Sequence, residues 1–254
     1  MADLEVLLFD VDGTIADTER DGHRVAFNKA FAEEGLDWEW SVELYGKLLA
    51  VTGGKERIKH YLKHFNTEFQ LPDDGDAFIA HLHKMKTAHY TRMMAEGTIP
   101  LRPGIRRLLD ECRASGVRLG IATTTTPENV TALLRSGLGD EGESWFEVIA
   151  AGDIVPKKKP APDIYVWAME KLGVGPEVCA ALEDSHNGIR SVNDADIPTV
   201  IITVNGYTEH EEFPGANLVV NQLGEPGSPC TAISGSCEGH DYVNLELIRS
   251  LHNA

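Results

Sequence analysis

Cysteine is scarce in this chain of 254 residues: Cys112, Cys179, Cys230 and Cys237 are scattered, and no two form a CxxC pair. That usage fits a reducing compartment better than a disulfide framework or a zinc site. Cys112 and Cys179 lie in apolar segments and read as core thiols. Long hydrophobic runs are absent too, none approaching the roughly 20 residues that span a bilayer. The first residues lead almost directly into a strand, without the basic and apolar regions of a secretory leader. Basic residues are in deficit: Lys+Arg 23 against Asp+Glu 40 give a formal charge of −17. This argues against nucleic acid or an anionic membrane as partner, while a local basic pocket remains open to an anionic small molecule. The expectation is a soluble, cytoplasmic monomer with length enough for a substantial core.

What is present begins at Leu4 to Thr14, LEVLLFDVDGT. A short run apolar on both parities suits a strand covered on both faces, and such a strand delivers Asp10 to its carboxyl end. Thr18 to Gly35, Glu43 to Ala50, Lys55 to Phe65 and Asp76 to Glu96 then read as helices. In the last, Phe78, Leu82, Met85, His89 and Met93 mark the expected buried face. No strand is evident between Ile15 and Ile99. Strands recur at Val117 to Ala122, Val148 to Ala150, Val178 to Leu182 and Thr199 to Thr203, alternating with helices that begin at Pro103 and Pro127 and helices that carry Ile164, Ala168 and Leu172, and Ile189 and Val192. The reading is an α/β fold, a doubly wound parallel sheet with an inserted all-helical cap. Residues 1–16 and 98–254 form the core and 17–97 the cap. The Gly/Pro/Ser-rich stretch 224–239 lacks periodicity and reads as a mobile loop, followed by a closing helix with Leu245, Ile248 and Leu251.

Four polar clusters sit at or just beyond strand ends: Asp10/Asp12, Thr123/Thr124, Lys159 and Glu183/Asp184. In a parallel sheet these share one edge. Two acids, a second acidic pair, hydroxyl donors and a cation suit phosphoryl transfer. Asp10 and Asp184 can hold Mg²⁺, a hard cation preferring oxygen. Lys159 and Thr123 can stabilise phosphoryl oxygens. Asp10 is placed as a carboxylate nucleophile, with Asp12 as acid and base. Plainer readings compete. Thr123/Thr124 could end a strand and cap a helix, and the Lys55/Arg57 stripe could be a solvated face. Gly53-Gly54 before it makes a phosphate-binding helix start plausible. His23, one turn before Phe27, could be a packed histidine, and Glu183 could orient neighbours. An EF-hand loop counted from Asp10 fails, because its sixth and twelfth positions hold Ile15 and Asp21.

DVDGT (10–14), IATTTT (121–126), KKPAPDIY (158–165) and LEDSHNGIR (182–190) together resemble the four motifs of haloacid dehalogenase-superfamily phosphatases. With GGKERI (53–58) and RPGI (102–105), the chain is most similar to the CbbY-like subgroup, close to β-phosphoglucomutases. The resemblance implies a helical cap, Mg²⁺ and an aspartyl-phosphate on Asp10. It implies metal ligation by the Asp10 side chain, the Asp12 backbone carbonyl and Asp184, with Glu183 beside them. It supports Lys55 and Arg57 as substrate contacts and adds Glu19, His23 and Asn187. The implied substrate is a phosphorylated sugar, such as xylulose 1,5-bisphosphate. A phosphomutase using the same covalent step and a non-catalytic sugar-phosphate-binding protein are the alternatives. A dehalogenase fits less well, because that branch lacks the second acid present here as Asp12. One departure falls in Thr18 to His23, which carries one residue more before the histidine than the family pattern.

Overall fold

The computed structural model describes residues 2–97, 99–237 and 239–254. Its frame is a seven-stranded sheet in the order β3-β2-β1-β4-β5-β6-β7. The strands are β1 Val6–Phe9, β2 Arg118–Ala122, β3 Val148–Ala150, β4 Cys179–Glu183, β5 Thr199–Thr203, β6 Leu218–Val220 and β7 Ala232–Ser234. All neighbouring pairs are parallel except β6–β7. Chain order reverses at β1, so Asp10 lies at the switch point where open α/β sheets bind ligands.

The apolar run of β1 alternates between two cores. Leu7 and Phe9 face one and Val6 and Leu8 the other, all fully buried. Helices α5 Ile105–Ala114, α6 Pro127–Leu138 and α9 Leu245–His252 pack on the first side, and α7 Asp163–Leu172 and α8 His186–Asp194 on the second. Between β1 and β2 the described chain is helical: a π turn Glu19–His23, then α1 Arg24–Glu33, α2 Val42–Leu48, α3 Gly54–His64 and α4 Gly75–Ala95. These helices enclose a third core rich in aromatic rings, with Phe27, Phe31, Trp38, Trp40 and Tyr45 at its centre.

Three local readings need correction. The first helix opens with a π turn, closed by the Arg24 N–H donating to the Glu19 carbonyl five residues back, which takes up one extra residue per turn. The buried face of α4 is Ile79, Leu82, Lys86, Tyr90, Met93 and Met94, not the stripe through Met85 and His89. A buried lysine is invisible to a count of apolar residues. The stretch 224–239 is not all loop, since β7 lies within it. Its three side chains are exposed, so main-chain pairing forms it without any hydrophobic signal.

Candidate active site

The carboxyl ends of β1, β2 and β4 bring Asp10, Thr123, Glu183 and Asp184 together. A backbone bond from Asp10 N to Leu182 O at 3.0 Å holds the turn after β1. Gly13, at φ +86°, completes it. A Cβ there would lie 2.1 Å from Asp184 Oδ2, so only glycine lets the two motifs close up. Lys159 reaches in from the loop before α7. Its Nζ donates to Asp10 Oδ1 and Glu183 Oε1, both at 2.6 Å, and to the Ala122 carbonyl at 2.8 Å. The Tyr165 hydroxyl donates to the same Glu183 oxygen at 2.6 Å. Burial alone would discharge Lys159, but Asp10 and Glu183 outweigh it and raise its pKa.

Carboxylate oxygens of Asp10, Glu183 and Asp184 lie within 4.8 Å of one another, and all three residues are buried. Burial, followed by mutual repulsion, pushes Asp10 and Asp184 well above the usual carboxylate range. Such a set is short of positive charge and offers hard oxygen donors, which fits a divalent cation such as Mg²⁺.

Asp12 faces the helical block instead. Its Oδ1 accepts from Thr18 Oγ1 at 2.5 Å and pairs with His23 Nε2 at 2.7 Å. His23 Nδ1 in turn faces Lys86 Nζ at 2.7 Å. An ammonium on one side and a carboxylate on the other fix the ring as an Nδ1 acceptor and Nε2 donor. Burial would raise the Asp12 pKa, but His23, Thr18 and Lys86 hold it at about 2. Burial pulls Lys86 down to about 8. His23 also stacks on Tyr90, with ring centroids 4.2 Å apart, so it is at once packed and polar.

A cavity of about 480 Å³ opens between these groups and α2, and Asp10, Asp12, Glu19, Arg57, Thr123, Thr124, Lys159 and Asn187 all line it. The Tyr45 hydroxyl donates to Glu19 Oε2 and accepts from Arg57 Nη1 at 2.8 Å. Arg57 Nε and the Tyr207 hydroxyl are buried without a partner beside this space. Such groups are costly unless a polar ligand satisfies them.

Lys55 is set apart. It pairs with Asp153 at 2.5 Å and lines a smaller side pocket with Lys158 and Lys86. Asn187 bridges to Ala50 O and Thr52 Oγ1, each at 3.3 Å. Sequence reasoning did not single out Lys86, Tyr45, Tyr165 or Asn205, whose amide donates to Asp184 Oδ2 at 2.7 Å. Of these, Asn205 had a findable signal, just beyond the apolar end of β5.

A haloacid dehalogenase-like hydrolase family model matches residues 4–196, and the chain belongs to that family as a phosphatase. Within it the chain is CbbY-like. It is 43% identical to the plasmid-encoded protein CbbY of Cupriavidus necator over 98% of its own length and 97% of that protein's. The crystal structure of CbbY from Rhodobacter sphaeroides in complex with phosphate superposes with a TM-score of 0.81 at 48% identity, covering 88% of this chain and 96% of that one. A mutant of the same protein, solved in complex with xylulose-(1,5)bisphosphate, matches with the same TM-score and coverage at 47% identity.

Proposed function

We propose that the chain hydrolyses a phosphorylated sugar carrying two phosphate groups, with xylulose 1,5-bisphosphate the concrete candidate, through an aspartyl-phosphate on Asp10. One observation carries the reading. A single cavity has the nucleophile Asp10 with the Lys159 ammonium on one wall and Arg57, with its unpaired Nε, on another. Two separated cations suit a dianionic group at each end of the ligand. The relative's xylulose bisphosphate complex supports the same choice.

An Asp10 carboxylate oxygen attacks phosphorus and the bond to the sugar oxygen breaks. Thr123 binds a phosphoryl oxygen, and Lys159 turns its bond from Asp10 to another as that carboxylate attacks and charge shifts onto the phosphoryl group. Asp12 manages the proton, giving one to the departing sugar oxygen and later taking one from the water that cleaves the acyl phosphate. As paired here Asp12 is ionised, so the donor step requires its release from Thr18 and His23. Asp10, Asp184 and the Asp12 carbonyl would hold Mg²⁺, which would neutralise phosphoryl charge. Glu183 orients Lys159.

The test is a phosphate-release screen with and without Mg²⁺ across pentose and hexose mono- and bisphosphates. The expected result is Mg²⁺-dependent release, highest for a bisphosphate and absent in a folded Asp10→Asn variant. An isomeric sugar phosphate without free phosphate would identify a mutase instead. An active Asp10→Asn protein would remove Asp10 as nucleophile.

A further inference from the structure

Beyond β6, far along the chain from the catalytic motifs, two thiols meet. Cys230 and Cys237 flank the segment that carries β7, and their Sγ atoms lie 3.7 Å apart. Both are partly exposed and pack against the rim of the first core. Cys112 and Cys179 differ. Both are fully buried, and burial pushes each thiol up to about 12, which makes them inert towards a dissolved oxidant.

The strand between the pair, β7, buries none of its side chains. All three residues of β7 are exposed, and its pairing with β6 is irregular at Val219/Val220. Its base, by contrast, is fixed. Cys230 N donates to Asp241 O at 2.9 Å, and Thr231 N donates to Asn221 Oδ1 at 2.7 Å. The thiols are thus held in contact by an ordered base, while β7 between them has no buried side chain and pairs with β6 through its main chain. The two sulfurs already touch at 3.7 Å, and a disulfide brings them to roughly 2.05 Å.

We propose that Cys230 and Cys237 form a reversible dithiol–disulfide site, oxidised by exchange with a small-molecule disulfide of the glutathione type, and that the bond closes a loop around β7. Burial and the neighbouring Cys230 push Cys237 up to about 11, so Cys237 keeps its proton while Cys230 attacks the external disulfide and expels one thiolate. Cys237 then gives up its proton, attacks the mixed disulfide and expels the second. Two protein thiols and one external disulfide become one protein disulfide and two small thiols. A short covalent loop restricts the excursions that expose β7.

The full chain, equilibrated across glutathione/glutathione disulfide ratios and then alkylated, tests this by intact mass and peptide mapping. The expected outcome is loss of two of the four thiols, a linked peptide pair holding residues 230 and 237, and reversal by dithiothreitol. Limited proteolysis within 224–239 should slow about tenfold in the oxidised form. Cys237→Ser should instead retain one glutathionyl group on Cys230. Four free thiols at the most oxidising ratio, glutathione kept on both cysteines, or equal cleavage of the two forms would overturn the proposal.

Discussion

Lys86 is the residue whose surroundings make the sharpest demand. It is buried against His23 with its ammonium over the Phe27 and Tyr90 rings at 5.2 and 5.1 Å. Below pH about 8 it is charged and donates to His23 Nδ1, which keeps the ring an Nε2 donor positioning Asp12. Above that value the donor charge is lost. Turnover is therefore expected to fall as pH rises through about 8, and the pH–rate profile of Lys86→Met should lack that limb. The same group affects stability in the opposite sense. Its folded pKa is depressed from 10.5 to about 8, so the unfolded chain binds more protons between those values. Its contribution to stability should rise with pH across that window, and denaturant titrations of wild type and Lys86→Met should differ in that slope. Arg57 offers a second test. Truncation to alanine removes a charged hydrogen-bond donor from the cavity and should cost kcat/KM roughly 10- to 150-fold. Lysine should not restore it, because its point charge cannot bond Tyr45 and the ligand with one planar fork.

Between elements, the contact that most concerns access joins α3 to the loop after β3. Lys55 and Lys158 both pair with Asp153, and Lys158 also pairs with Glu56. Hydrogen bonds from Lys55 and then Lys158 lower the Asp153 carboxyl to about 2. This contribution is present above the unfolded value of about 3.9 and lost as pH falls through about 2. Asp153→Asn should weaken the clasp and raise KM roughly two- to fivefold with little change in kcat, as steady-state kinetics would show. Elements were legible where side chains repeat with a period. The β1 run, the strand before Thr123 and the helices carrying Leu108 or Ile164 all announce themselves through burial. Lys86 and β7 do not, because one is a charge inside a core and the other a strand without a buried face.

At the scale of the whole molecule, a chain of formal charge −17 gathers three acids in its interior and balances them in part with Lys159. A divalent cation should relieve the remaining repulsion. Chelation is expected to abolish phosphate release and lower the melting temperature, and Mg²⁺ to restore both, as calorimetry and a phosphate assay would record together. The convergence of Asp10, Thr123, Glu183 and Asp184 was legible from the sequence because parallel strands send their carboxyl ends to one edge. The partners of Asp12 were less so. Thr18 and His23 lie near it along the chain, but Lys86 arrives from a helix 74 positions away (86 − 12), and no local pattern encodes that meeting.

The π turn Glu19–His23 makes chain length at this point negotiable. It carries a surplus residue as a bulge on the solvent side, where Asp21 is 73% exposed, while Thr18 and His23 both stay on Asp12. Excising Asp21 should let the turn relax to ordinary α geometry, with Asp12 still paired and phosphatase activity retained. Adding a residue after His23 should instead rotate α1 out of register with α4 and silence the enzyme. If both outcomes hold, the fixed quantity is the meeting of His23 with Asp12, and the number of residues before it is a tolerance.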